Sequence, residues 1–302
     1  MNITHHLQVF ARVAELSSFT LAAEQLGMPR ASVSTAVQQL ENLLGTRLLH
    51  RTTRRVHLTQ DGLVFQDRCK DLLSDLDELE SMFQHAGGAP LKGRVRIDMP
   101  SGMARTAVVP RLPELLATHP RLSLEISSTD RRVDIVREGF DCVLRVGEVG
   151  GEGHVARPLG TMAMVNCASP GYLSRHGIPK SLDDLAHHQL VHYSPALGAP
   201  PTGFEAMVGD QHTFHAMPGA VAVNSSDAYT AACLAGLGLI QVPLLGAKEL
   251  IDAGRLVRVL DQWTARPMPV TLLYAHRRNL PKRVRIVMDW LAEVMSAHLG
   301  QA

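Results

Sequence analysis

Six arginines fall within the first sixty residues against three acids, Glu15, Glu24 and Glu41, although the formal charge of the whole chain is only +1. Between Glu41 and Asp61 there is no acidic side chain, while Arg47, Arg51, Arg54, Arg55, His50 and His57 all lie there. An acid-free basic run suits phosphate contact, because each guanidinium neutralises backbone charge and releases counterions from a nucleic acid. Just before it, Arg30, Ser32, Ser34, Thr35 and Gln38 supply guanidinium, hydroxyl and amide groups, the kinds that bond to base edges in a major groove. A second set suits a different chemistry: Pro100, Ser101, Gly102, Ser128, Thr129, Arg145, Asn224 and Ser225 combine hydroxyls, an amide and one guanidinium, which together hold a small anion such as a carboxylate. The same serines and asparagine could instead cap helices, and Arg145 could pair with Asp130 or Asp141.

Signals for catalysis are absent. The chain contains no GxSxG elbow, no GxxxxGK[ST] loop and no HExxH. Gly236-Leu237-Gly238 falls after a predicted helix and before a predicted strand, the reverse of a dinucleotide fingerprint, and is a helix stop. His187, His188, His192, His212 and His215 lack a carboxylate or thiolate at ligand spacing, so they are expected as solvated loop histidines rather than metal ligands. Cys69, Cys142, Cys167 and Cys233 are widely separated and are expected as reduced core residues. No enzyme activity, cofactor or metal is therefore expected.

The elements that must position the first set are helical. Leu7, Phe10, Ala11 and Ala14 step by three and four along a helix from Ile3 to about Leu16. Ser18 or Thr20 caps a second short helix with Ala22, Ala23 and Leu26 on its apolar face, and Gly27 stops it. Pro29 opens a third, in which Val33, Val37, Leu40 and Leu44 form the buried stripe and Gly45 the end. Two helices joined by a glycine turn, the second displaying Arg30 to Gln38, make a helix-turn-helix; the alternation from Arg47 to Leu58 adds a basic hairpin wing tipped by Thr52-Thr53-Arg54-Arg55. From Thr59 to Ala86 a long helix carries Phe65, Cys69, Leu72, Leu76, Leu79 and Phe83 at heptad spacing. Phe65, Leu72, Leu76, Leu79 and Phe83 are expected to bury against a second copy, the alternative being packing on the chain's own large domain.

Past Gly87-Gly88-Ala89-Pro90 the composition changes to strands (94–99, 122–127, 141–146) alternating with helices (104–118, 131–138), an order that implies a parallel sheet. A second set follows, with strands near 162–167, 220–224 and 238–243 and helices near 226–235 and 244–253; strand 270–275 and helix 281–299 close the chain. Ligands of such sheets bind beyond the strand carboxyl ends, which is where the second chemical set falls.

These residues resemble the LysR-type transcriptional regulators. The motifs that carry the likeness are Phe10-Ala11-Arg12-Val13-Ala14, Ser18-Phe19-Thr20-Leu21-Ala22-Ala23 with Leu26, Val33-Ser34, Leu40-Glu41, Leu44-Gly45, and Arg51-Thr52-Thr53-Arg54-Arg55 ending in Leu58-Thr59. Weaker matches continue through Phe140-Asp141, Leu144-Arg145-Val146-Gly147, Ala168-Ser169-Pro170 with Tyr172-Leu173, and Ala235-Gly236-Leu237-Gly238. The resemblance implies an α/β protein with an all-α winged helix-turn-helix N-terminal domain and an effector part of two Rossmann-like α/β subdomains, similar to type 2 periplasmic binding proteins. It also implies double-stranded promoter DNA, a small-molecule effector, aromatic or carboxylated, and RNA polymerase as partners, a homodimer or dimer of dimers, and bending of promoter DNA. Where the family begins its recognition helix with Ser-Gln, this chain has Met28-Pro29-Arg30, losing a capping hydroxyl and a base-reading amide and gaining a cation.

The expected boundaries are 1–58 for the DNA-binding domain, 59–86 for the linker helix, 87–93 for a hinge, 94–161 with 268–302 for effector subdomain I, and 162–267 for subdomain II. At 302 residues, 45% hydrophobic and 20% charged, the chain can bury cores of this size. No window approaches the roughly 18 apolar residues needed to span a bilayer, and no export signal is visible, so the expected location is the cytoplasm, with no membrane partner. A solute-binding protein would fit the second half alone but has no use for an arginine wing.

Overall fold

The computed structural model describes residues 2–51, 56–81, 91–150, 154–209, 211–275 and 280–300. Contacts divide the chain into two units, Met1–Arg94 and Val95–Ala302.

In the first unit α1 (Ile3–Leu16) is capped by Asn2, whose side chain accepts from the His5 amide. Ser18 performs the same service for α2 (Phe19–Leu26), and Gly27 ends that helix with φ 63°, a left-handed conformation that glycine adopts without cost. α3 (Arg30–Leu44) has Pro29 at its cap position, with no side-chain cap bond. Val33, Val37 and Leu40 are buried as the spacing predicts, but Leu44 at the last turn is exposed. The core joins them to Val9, Phe10, Val13, Ala22 and Leu48. The wing is β1 (Leu49–Arg51) paired antiparallel with β2 (Val56–Leu58), Leu49 opposite Leu58. Its tip, Thr52, Thr53, Arg54 and Arg55, lies outside the described residues.

α4 (Gln60–Ser81) follows. Thr59 is its cap: the hydroxyl accepts from Gly62 N at 2.9 Å and donates to Arg47 O at 2.7 Å, while Thr59 N donates to Leu48 O at 2.9 Å. Gly62 fits this junction because a Cβ there would stand 2.0 Å from the Leu48 carbonyl oxygen. The heptad stripe divides. Cys69 is buried in the unit's own core, its Sγ 3.4 Å from Leu7 O, and Phe65 meets Phe10 edge-on with ring centroids 5.4 Å apart. Phe65, expected between copies, is thus largely consumed within its own domain, because α1 lies alongside the first turns of α4. Leu72 is exposed and Leu76 half-buried; the side chain of Leu79, and all of Phe83, lie outside the described residues.

The second unit has two layered halves. β3 (Lys92–Met99) begins within the expected hinge 87–93, of which residues 87–90 lie outside the description. α5 (Ser101–Met103) runs into a π-wound turn (Ala104–Val108), a 3₁₀ turn (Val109–Arg111) and α6 (Leu112–Thr118). Pro110 and Pro113 lack N–H donors, which explains why the predicted helix 104–118 is wound in three pieces. β4 (Arg121–Ser128), β5 (Cys142–Val146) and β6 (His154–Met162) complete this pass. The predicted helix 131–138 is absent. Asp134 accepts from the amides of Val136 and Arg137, Glu138 accepts from Asp134 N, and Arg131 pairs with Glu138, so side chains close a turn that competes with a helix.

β7 (Met164–Ala168), α7 (Pro170–His176), a 3₁₀ turn (Asp183–His187), β8 (His192–Tyr193), β9 (Phe204–Val208), β10 (Gln211–His215), β11 (Ala222–Val223), α8 (Ser226–Leu234), β12 (Ile240–Pro243), α9 (Leu244–Asp252) and β13 (Val257–Arg258) build the other half. β14 (Met268–Ala275) then returns to the first, followed by α10 (Lys282–Ser296). The five-stranded sheet has the order β4-β3-β5-β14-β6. β3 and β5 are parallel, as the alternation of strands and helices implies, while the closing strand β14 is antiparallel to both β5 and β6. The reason is that β14 enters from the second half rather than through a helical crossover. There β7 is flanked antiparallel by β12 and β13, while β8 and β11 pair in parallel. β6 and the β9–β10 hairpin escape sequence reading. β6 carries Pro158 and Gly160, and its pairing with β14 skips Leu159.

All four cysteines are free and buried. Burial pushes the Cys69 thiol up to about 11 and those of Cys167 and Cys233 up to about 12. The Cys142 thiol is also raised, so these are inert core thiols. No helix among the described residues is long and apolar enough to cross a membrane.

Candidate functional site

On α3 the buried side is Val33, Ala36, Val37, Leu40 and Glu41. Helical geometry of 3.6 residues per turn places Ala31, Thr35, Gln38 and Asn42 at steps of four, three and four along the centre of the opposite face, and all four are exposed. Ser32 and Gln39 are also exposed, on its flanks; Arg30, in line with Val37, is exposed as the first residue of the helix, and Ser34 is half-buried. The expected readers are therefore on the surface; Ala31 and Asn42, which complete the stripe, were available from the same spacing. Glu41 fixes this helix to the wing, its buried carboxylate accepting from Leu48 N at 2.9 Å and Leu49 N at 3.1 Å. Two charge-assisted bonds to successive amides hold β1 in one place relative to the exposed face. Arg51 lies in β1, while Arg54 and Arg55 lie outside the described residues.

In the second unit the two halves enclose a cleft of about 920 Å³. Met103, Met162, Met164 and Met268 contribute to its walls with Tyr193, Phe214 and Tyr229. Polarizable thioethers beside aromatic rings make an adaptable apolar lining. Arg105 and Arg132 reach the same space with exposed guanidiniums.

The strand-end residues behave differently from one another. Pro100, Gly102 and Arg145 line the cleft. Ser101 Oγ lies 3.1 Å from Ser226 Oγ on the other half. Ser128, Thr129, Asn224 and Ser225 are not among the lining residues: Ser128 and Asn224 are exposed, and Ser225 precedes α8 without a side-chain cap bond. Thr129 Oγ1 donates to Asp98 at 3.1 Å, and Arg145 pairs with the same carboxylate. Arg145 also donates to Leu144 O at 2.8 Å and Arg131 O at 3.1 Å. Two of the donors offered to an anion, Thr129 and Arg145, are thus engaged by Asp98, a carboxylate with no solvent exposure. Neither Asp130 nor Asp141 is the partner of Arg145. Asp141 accepts from Arg96 N at 2.9 Å, and Asp130 accepts from Ser226 N at 2.5 Å.

Sequence reasoning missed Asp98, offered Asp130 only as a partner of Arg145, and placed Ser226 at a strand end without its contact to Asp130. The signal for Asp98 was an acid between Ile97 and Met99 in an apolar strand, where only a partnered charge can be buried.

One wall of the cleft continues into a buried amide network. Asn166 donates to Leu260 O at 3.1 Å and Trp263 O at 3.0 Å, and accepts from Gln241 Nε2 at 2.8 Å. Gln241 and Glu205 exchange bonds of 2.7 and 2.8 Å. This pins Leu260, which has φ 52°, a left-handed conformation strained for a branched side chain.

The histidines are not all solvated. His188 and His192 are buried, and His188 Nδ1 lies 3.1 Å from the Tyr172 hydroxyl. Burial lowers the pKa of His188, with the neighbouring His176 adding to the shift. His212 Nδ1 lies 2.9 Å from Glu205 Oε1. Among the described residues no cluster of His, Cys, Asp or Glu could hold a metal ion.

Residues 4–63 match the family model described as bacterial regulatory helix-turn-helix protein, lysR family, and residues 88–296 match LysR substrate binding domain. The HTH-type transcriptional regulator YhjC of Escherichia coli is 48% identical over 99% of this chain and 100% of its own length. An HTH-type transcriptional repressor of Pseudomonas aeruginosa is 34% identical over 96% of this chain and 91% of its own. Among solved structures, the LysR-type regulator CrgA of Neisseria meningitidis is 28% identical with a TM-score of 0.60, covering 96% of this chain and 97% of that one. The full-length virulence activator AphB of Vibrio cholerae is 27% identical with a TM-score of 0.57, covering 98% and 99%.

Proposed function

The chain belongs to the LysR family of DNA-binding transcriptional regulators with an effector-binding domain, and from that premise we propose which surfaces do the work. It is a regulator rather than an enzyme, as its relatives are named. Arg30, Ser32, Ser34, Thr35 and Gln38 read base edges in the major groove of promoter DNA, and Arg51, Arg54 and Arg55 hold phosphates beside it. The observation that carries this reading is the exposed polar stripe of α3, set opposite buried Val33, Val37 and Leu40 and splinted to the wing by Glu41.

The effector is a small aromatic or anionic molecule bound between the two halves of the second unit. The aromatic and methionine lining supports the first chemistry; Arg105 and Arg132, which have no side-chain partner among the described residues, support the second. Leu72, Leu76, Leu79 and Phe83 bury against a second copy, giving a homodimer or dimer of dimers that works in the cytoplasm and alters recruitment of RNA polymerase.

The test is titration of the chain's own promoter fragment by wild type and Gln38→Ala across single-base operator variants. A bidentate amide contact predicts a loss of about 1–3 kcal/mol at one base pair and little elsewhere. Equal weakening at every variant removes Gln38 from the readout.

A further inference from the structure

α8 begins in an unusual way. Its cap residue, Ser225, makes no side-chain bond, and the first helical amide, Ser226 N, donates instead to Asp130 Oδ2 at 2.5 Å. Asp130 lies just past β4 in the opposite half of the domain, ninety-six residues earlier. The Ser226 hydroxyl is met from that same half by Ser101 Oγ at 3.1 Å, at the start of α5. One residue of the second half is therefore gripped from two separate strand ends of the first. Asp130 and Ser226 both line the cleft, with Gly102 and Asp227 beside them. Gly102 is close enough that a Cβ there would stand 4.0 Å from Ser226 Oγ.

We propose that Asp130 and Ser101, acting on Ser226, form a latch that sets how far the two halves of the effector domain close. A carboxylate accepting from a helix's first free amide is a charge-assisted bond aided by the helix dipole. It forms only when the halves approach, because the donor and the acceptor belong to different halves. A change in cleft width must stretch or break both contacts, so the latch energy enters directly into the closure equilibrium that any occupant shifts. Arg145, which reaches the same cleft, is committed to Asp98 within its own half and cannot take this role. The use of the latch in signalling rests on the effector reading above; the latch itself does not.

The experiment is hydrogen exchange by mass spectrometry on the full chain, comparing wild type with Asp130→Ala, Asp130→Asn and Ser101→Ala. The latch predicts roughly tenfold faster exchange in Asp130→Ala at cleft-facing segments of both halves, around β12 as well as after β4, with smaller increases for the other two. Asp130→Asn keeps an acceptor without the charge and so remains informative where the alanine variant folds poorly. A second arm is Ser101→Cys/Ser226→Cys. The 3.1 Å separation needs about 1 Å of closing to reach a disulfide, and the native thiols are buried away from oxidant. Oxidation of that pair should restore slow exchange in an Asp130→Ala background. Faster exchange confined to the first turn of α8 would reduce Asp130 to a helix cap and overturn the proposal. Promoter titration of the same variants reads the effector hypothesis separately: exchange that responds in both halves, with promoter affinity identical throughout, upholds the latch and refutes its coupling to DNA binding.

Discussion

The two units answer differently to the same kind of sequence reading. On α3 the residues chosen for their chemistry lie on the surface, Ser34 only in part, because helical period largely decides what is buried and what is displayed. At the strand ends of the second unit, Thr129 and Arg145 turn inward to Asp98, and Ser101 reaches across to Ser226. Asp98 is forty-seven residues from Arg145 and Ser226 is one hundred and twenty-five from Ser101. Local pattern reports exposure well where the partners are local, and says little about which long-range partner will claim a polar group.

The strongest way to break that contrast is Arg145→Ala. If Arg145 is a ligand group, its loss leaves the fold intact; as the partner of fully buried Asp98, it should cost about 3–5 kcal/mol in urea denaturation of the effector unit. The double variant Asp98→Ala/Arg145→Ala should recover part of that loss, since no charge is left stranded. An undiminished midpoint in the single variant would return Arg145 to the ligand.

Gly62→Ala tests the first unit by the same logic. Its Cβ would meet the Leu48 carbonyl, a backbone atom that cannot swing aside, and overpacking of this sort costs about 1–3 kcal/mol. The wing and the start of α4 should separate, and promoter affinity should fall with stability. Retained affinity at wild-type stability would show that this junction has slack the geometry does not reveal.

The smallest expected effect concerns pH. Tyr172 OH accepts from Gln189 N at 2.7 Å, so its own proton points to His188 Nδ1, which must be unprotonated to accept it. With the folded pKa of His188 below the ordinary value of 6.5, the unfolded chain takes up its proton first as pH falls. Stability from this group is therefore present above about pH 6.5 and is lost progressively as pH falls toward the folded value. Thermal melts between pH 7.5 and 5.5 should show a steeper decline for wild type than for His188→Phe. Parallel slopes would exclude His188 as the cause.

Much of the fold was legible. The bounds of α1, α2 and α3 follow from caps and apolar spacing, and β3, β4, β5, α8, α9 and α10 are near their expected places. What failed has physical causes. The segment 131–138 has helical composition, but Asp134 and Glu138 bind nearby amides and close a turn. β6 hides behind Pro158 and Gly160 because a bulge absorbs them. Phe65 has the right heptad position for a partner copy, yet Phe10 lies beside it, which no spacing rule can report. In the site, the exposed face of α3 was readable, and the cleft's polar pairing was not.

The strand order β4-β3-β5-β14-β6 has a further consequence, for how the protein emerges from the ribosome. Among the described residues β6 pairs in that sheet with β14 alone, and β14 is synthesised only after every element of the second half. The inserted half owns all strands of its own sheets and can complete them while its frame is still open. Until Met268–Ala275 leaves the exit tunnel, β5 and β6 present unpaired edges, the late and non-local pairing that makes a nascent chain slow to fold and prone to association. A chain halted before Met268 should therefore carry a folded insert on an unfinished sheet, and need a chaperone to stay in solution.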